Sequence, residues 1–180
     1  MSPSSPLSDS LIPPKGPFSF ELLFRPSIDL ISIVRGFVVA FYTRVVEDQD
    51  TAYRLALVTH ELLENAAKYS ADGEAALVVE LDPNADTVTV RATNRATVER
   101  IATLEKIFAE IYAAPSAHSL YMDSMRRSVE RASGSGGLGL ARVWAEGEMQ
   151  LRLVRDGDRV EIRAQGTIRA GQAFVPNGTA

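Results

Sequence analysis

Two pairs of apolar runs in this chain are joined by turns too short to hold a crossover. AALVVEL (75–81) leads through DPNAD into TVTVRA (87–92), and MQLRLVR (149–155) leads through DGD into RVEIRA (159–164). Strands connected this closely must lie antiparallel, because a parallel connection needs about a dozen residues or more. The connecting residues are turn formers in their own right: Pro presets φ, and Asn, Asp and Gly tolerate the left-handed backbone. AALVVEL is nearly continuous in apolar residues and reads as a central strand. TVTVRA alternates, so one of its faces meets water.

The rest of the chain reads around these hairpins. Phe18, Phe20, Leu22 and Phe24 alternate as a first strand. Ile31, Val34, Val38, Phe41 and Val45 recur at helical spacing over about 30–47, with Ser27 or Asp29 as a cap. EDQD (47–50) breaks the pattern, and a second helix is expected over about 51–70. A third helix over about 97–113 carries Ile101, Leu104, Phe108 and Ile111 on one face and stops at Pro115. A shorter helix over 117–132, a glycine-rich loop at 133–139 and a helix from about Leu138 to Glu146 complete the order. The expected fold is an α/β (α+β) two-layer sandwich, a mostly antiparallel sheet with helices on one face. Residues 1–17 are rich in Ser and Pro and read as a disordered arm. Residues 18–168 read as one domain and 169–180 as a tail.

Composition removes several classes of function. The 180 residues include no cysteine, which excludes thiolate chemistry, and the two histidines, His60 and His118, make a histidine metal site a poor expectation. A net charge of −4 argues against a nucleic-acid partner, which needs a basic face. No run approaches the roughly 18 apolar residues of a membrane span. MSPSSPLSDSLIPPKG has no charged start followed by an apolar stretch, so it is not read as a signal peptide, and a cytoplasmic protein is expected.

Within the second helix, HELLENAAKYS (60–70) carries an unusual stripe. At 100° per residue, Leu55, Val58, Leu62, Ala66 and Tyr69 share the face that should meet the sheet. Glu61, Asn65 and Lys68 follow one another at four- and three-residue steps along its border, while Glu64 points further out. One reading is a solvated flank with a Glu61–Asn65 side-chain contact. The other is a nucleotide site. Magnesium takes oxygen ligands and keeps several waters, so the Asn65 amide oxygen with phosphate oxygens is a reasonable set. Glu61 would accept a proton and Lys68 would reach phosphate.

SGSGGLGLARV (133–143) has glycines at 134, 136, 137 and 139 before a helix. Such a loop exposes backbone N–H groups at a helix N-terminus, where free donors and the dipole favour phosphate. It is not a Walker A motif, since GK[ST] is absent, and it does not follow a strand as a dinucleotide fingerprint does. A flexible linker is the plain alternative. Two further features carry both a plain and a functional reading. Leu120, Tyr121, Met125 and Val129, with Arg126, Arg127 and Arg131, describe an amphipathic helix whose basic face is either solvated or in reach of phosphate or an acidic partner. His60 beside Glu61 is read as structural or exposed.

Taken together, ELLENAAKYS and GSGGLGLARV resemble the N box and the GxGLGL lid element of the GHKL ATPase superfamily, which includes histidine kinases, DNA gyrase, mismatch-repair ATPases and anti-sigma-factor serine kinases. The resemblance covers about 18–166. Within the superfamily the chain is most similar to small bacterial anti-sigma-factor kinases, and the insert at 97–131 is especially similar to the SiaB type of serine protein kinase. The resemblance implies a Bergerat ATP-binding fold. It implies Glu61 as general base, Asn65 as the magnesium ligand, and Gly136, Gly137, Leu138 and Gly139 as the lid residues near the phosphates, with Lys68 close by. The superfamily's first glycine box, Asp-x-Gly-x-Gly, has no match: ATNRATVERI stands there, with Thr93 or Asn94 left for the adenine contact. The implied activity is that of an ATP- and Mg2+-dependent protein serine/threonine kinase of a partner-switching system, acting on a STAS-domain antagonist or an anti-sigma-type regulatory protein. Related kinases commonly dimerise through the sheet or first helix, so a homodimer is among the expectations. The rival reading is a GHKL-fold protein-binding regulator that has lost ATP.

Overall fold

The computed structural model describes residues 17–25, 28–46, 48–130 and 137–169. Within them the order is β1 (Phe18–Phe24), α1 (Ile28–Val45), α2 (Gln49–Tyr69), β2 (Ala75–Asp82), β3 (Thr87–Arg95), α3 (Val98–Ala113), α4 (Ala117–Glu130), α5 (Leu138–Ala145), β4 (Gln150–Asp156) and β5 (Arg159–Thr167). The expected arm at 1–17 and tail at 169–180 lie outside the described residues except for Pro17 and Arg169. Ser27 and the Asp29 side chain, expected as caps of α1, lie outside them too.

The five strands form one sheet in the order β1-β2-β3-β5-β4, and each neighbouring pair is antiparallel. The two hairpins read from sequence are present, and β5 lies between β3 and β4. Burial alternates along the strands. Leu77, Val79, Leu81, Val88, Val90, Ala92, Val160, Ile162 and Ala164 turn to the helices and are buried. The residues between them face the other way, where Arg91 pairs with Glu80 at 3.0 Å and Arg163 with Glu161 at 2.8 Å. The molecule is the expected two-layer sandwich. β3 and β5 each run three residues beyond their expected ends, because Thr93, Asn94 and Arg95 find ladder partners in Glu161, Val160 and Arg159, and Gln165, Gly166 and Thr167 find theirs in Thr89, Val88 and Thr87.

Local chemistry explains the helix limits. Asp48 caps α2, accepting a 2.7 Å hydrogen bond from the Thr51 amide, so EDQD, read as the break after the first helix, also holds the start signal of the second. Thr97 caps α3 in the same way. At the end of α3, Ala114 has ψ 137°, the extended backbone that a following proline imposes. In α1 the buried line is Val34, Val38, Tyr42 and Val46, one residue off part of the expected stripe; Ile31, Phe41 and Val45 are only partly buried. Phe41 instead joins Phe37 around Phe20 of β1, with ring centroids 4.9 and 5.0 Å from Phe20, both edge to face.

α2 is the central helix. Leu55, Val58, Leu62 and Ala66 are buried as expected, Tyr69 is only half-buried, and Ala52, Ala56, Thr59 and Leu63 are buried as well. The wider arc reflects neighbours on three sides: the sheet, α1 and α5. Tyr42 of α1 meets Thr59 at 2.9 Å in the α1–α2 seam. At the other end Arg54 reaches the Gly147 carbonyl (2.9 Å) and those of Thr167 and Ile168 (3.1 and 3.2 Å). It ties α2 to the end of α5 and to the end of β5. Among the described residues no helix is long and apolar enough to cross a membrane.

Candidate functional site

The stripe of α2 meets the first turn of α5. Asn65 donates from Nδ2 to the Glu61 carbonyl at 2.8 Å, which turns its Oδ1 away from its own helix. The Glu61 side chain is only 14% exposed, and its Oε1 lies 3.3 Å from Nη1 of Arg142. Its Oε2 points at Gly139: a Cβ there would sit 2.5 Å from that oxygen and 3.6 Å from Asn65 Nδ2. Glycine at 139 is therefore what lets α5 approach the two polar side chains. Gly137, the N-cap of α5, has φ 118°, a backbone state that favours glycine. It packs beside Ile107 of α3.

Between α2, α3 and α5 lies a cavity of about 90 Å³ lined by Asn65, Tyr69, Arg100, Leu104, Ile107 and Gly137, among others. A second cavity, of about 260 Å³, lies on the other side of Ile107 and Gly137 and carries Lys106, Arg127, Ser124 and Leu138. Small-molecule sites run from about 300 to 1,000 Å³. The residues fit the phosphate and metal end of a nucleotide: an amide oxygen, a glycine-lined helix start and nearby cations. The space at Asn65 does not hold a whole nucleotide unless Ile107 and its helix move.

The other expected residues fall in different places. Lys68 is exposed, its Nζ 5.4 Å from the centre of the Tyr69 ring, and it does not line the Asn65 cavity. The same ring takes the Arg100 guanidinium at 5.0 Å. Asn94 is buried on the helix-facing side of β3 and donates to the Arg95 carbonyl at 2.9 Å. Thr93, its neighbour, faces the other side, as alternation along a strand requires. Neither lines the Asn65 cavity. Gly136 lies outside the described residues. His60 turns to Glu64 at 3.2 Å, away from the stripe. Among the described residues no three of His, Cys, Asp and Glu gather as a metal cluster.

Sequence reasoning missed Arg142, Arg100 and Lys106. Arg142 had one signal, its place three residues after Gly139, where a helix repeats its face. Arg142 also donates from Nε to Glu146 Oε2 at 2.7 Å. That bond, with a second from Tyr121, holds the Glu146 carboxyl below its usual range, and the Tyr121 phenol is raised by the same contact.

No protein-family model and no curated protein matches the sequence. Among solved structures, the chain is similar in fold to a chain of the crystal structure of the SiaB–SiaC complex from Pseudomonas aeruginosa, with a TM-score of 0.62 at 15% identity. The match covers 81% of this chain and 88% of that one. The likeness extends over most of both chains and establishes the shared two-layer architecture.

Proposed function

We propose that this protein is an ATP- and magnesium-dependent serine/threonine protein kinase of a bacterial partner-switching system, acting in the cytoplasm on a STAS-domain-type partner protein. The observation that carries this reading is the approach of Gly139 to Glu61 and Asn65. Two motifs converge in one cleft although Gly139 lies 78 positions after Glu61 and 74 after Asn65, and the convergence depends on a missing Cβ. A fold shared with a chain of a two-protein complex supports a regulatory partner.

Bound ATP with magnesium supplies the transferable phosphoryl group and its charge neutralisation. Asn65 would hold the metal through its Oδ1. Gly137 and Gly139 let the start of α5 offer backbone N–H groups to phosphate. Glu61 keeps Oε2 free of Arg142 and accepts the proton of an incoming hydroxyl. Most of the acceleration in such transfers comes from positioning and electrostatics. The product is a partner whose added charge changes what it binds.

A second reading, a protein-binding regulator without ATP, draws support from the 90 Å³ cavity and from the outward-facing Thr93. Calorimetric titration with ATP, with and without magnesium, separates the two. Magnesium-dependent binding that is lost in Asn65→Ala supports the kinase. A folded protein that binds no ATP at millimolar concentration supports the regulator.

A further inference from the structure

Ile107 stands where the candidate site is interrupted. Its side chain lines both the 90 Å³ cavity at Asn65 and the 260 Å³ cavity beyond, as do Thr103 and Gly137. These residues of α3 and of the start of α5 are the wall between the two spaces. Neither space alone reaches the size of a small-molecule site, and joined they reach its lower end. The wall is apolar in a polar place. Gly137 is the N-cap of α5 and makes no side-chain cap bond. The first N–H groups of a helix ordinarily meet a polar acceptor or an anion. Yet the three atoms nearest to a Cβ built on Gly137 all belong to Ile107, the closest at 3.4 Å. On the far side the cavity is charged. Arg127 is held there by Glu110 Oε2 at 2.9 Å and donates to Ser124 Oγ at 3.3 Å. Lys106 has no ion pair among the described residues, so its charge is the one open to a ligand.

Resting on the reading of Asn65 as the metal ligand of a nucleotide site, we propose that the two cavities are one nucleotide cleft divided by Ile107, and that Lys106 meets the phosphates once Ile107 leaves the wall. Ile107 then sets the affinity. Nucleotide binds only the fraction of molecules in which the wall is open, and the apparent dissociation constant is raised by the inverse of that fraction. Isoleucine suits the place. A β-branched side chain on a helix keeps one strongly preferred χ1, so the wall opens by a shift of α3 rather than by a turn of the side chain.

The test titrates magnesium-ATP by calorimetry into the native chain, Ile107→Ala, Ile107→Val, Lys106→Gln and Lys106→Arg. The expected result is an affinity about tenfold higher in Ile107→Ala, as the open fraction rises, with a smaller gain in Ile107→Val. Lys106→Gln binds about tenfold more weakly, and Lys106→Arg recovers most of the loss. Thermal unfolding checks that each variant is folded, and Ile107→Val alone tests the wall should Ile107→Ala not fold. Binding by Ile107→Ala that is undetectable in the native chain also supports the divided cleft. A native chain that binds magnesium-ATP no differently from the folded Ile107 variants overturns the wall and leaves the kinase reading standing. Unchanged affinity in Lys106→Gln overturns the far end of the cleft. Failure of every one of these chains to bind magnesium-ATP defeats the kinase reading, and the divided cleft with it.

Discussion

The Val58 side chain occupies the space where Gly147 would carry a Cβ. A Cβ at 147 would also press on the Val143 carbonyl, which is backbone and cannot swing aside. α5 therefore ends against α2 at a distance only glycine permits. Gly147→Ala is expected to destabilise the fold by about 1–3 kcal/mol, the usual cost of overpacking. Chemical denaturation of the two proteins measures it directly, and equal midpoints would show that the α2–α5 contact is looser than described.

Arg54 gathers three carbonyls with one nearly buried side chain, which is 10% exposed. Arg54→Met keeps much of the volume and leaves the carbonyls without their donor. The expected loss is about 2–4 kcal/mol, larger than for an exposed ion pair. Arg54→Lys should fall between the two, because a single ammonium cannot serve Gly147 and Thr167 together. A lysine variant no better than methionine would point to charge alone being insufficient at this junction.

The Tyr42 hydroxyl is fully buried against Thr59, and burial pushes its titration well above that of a free tyrosine. The sign follows from linkage. The unfolded chain releases this proton near pH 10 while the folded chain still holds it, so stability is complete below about pH 10 and declines as pH rises further. Tyr42→Phe abolishes this contribution. At neutral pH the variant should be less stable by about 0.5–1.5 kcal/mol through the lost hydrogen bond. Above pH 10 the gap between the two should narrow, and parallel stability curves up to pH 11 would refute it.

Gly139 sits opposite a movable oxygen. Alanine there displaces the end of the Glu61 side chain, whereas at Gly147 the obstacle is backbone. Alanine is also the better helix former, by about 1 kcal/mol. Gly139→Ala should therefore fold with stability equal to or above the native chain and lose magnesium-ATP binding or turnover by tenfold or more. Thermal unfolding with nucleotide titration on the same sample checks both halves. Full activity in a stable Gly139→Ala protein would remove the close approach as the basis of the site.

The parts of this structure that were legible in the sequence are those governed by neighbours within a few residues. The hairpins followed from DPNAD and DGD, and the inward face of α2 from Leu55, Val58, Leu62 and Ala66. The shared stripe of Glu61 and Asn65 followed from their spacing along one helix, but the bond between them runs from the Asn65 amide to the Glu61 backbone carbonyl and not between side chains. What depended on distant partners was not legible. Asp48 is a separate case: EDQD reads as the break that does divide α1 from α2, and the cap partner Thr51 stands only three residues on. Thr93 and Asn94 could both be offered for one contact until the ladder with β5 assigned them to opposite faces. Arg54 carries no local signal of its role, since the carbonyls it reaches lie 93 to 114 positions away, and the contact of Arg142 with Glu61 spans 81.

The strand order has a consequence for how the chain matures. β5 is made last among the described strands, yet it occupies an interior place between β3 and β4. While the chain is being synthesised, β1, β2 and β3 can pair among themselves, but β4 waits with no neighbour. The α2–α5 junction also waits, because Arg54 reaches carbonyls at 167 and 168. Until those residues leave the ribosome, the inner edge of β3 is an open template for other chains, of the sort that recruits aggregation or chaperones. A chain cut short within β5 would thus be split through its middle, whereas one lacking β1 would lose an outer edge.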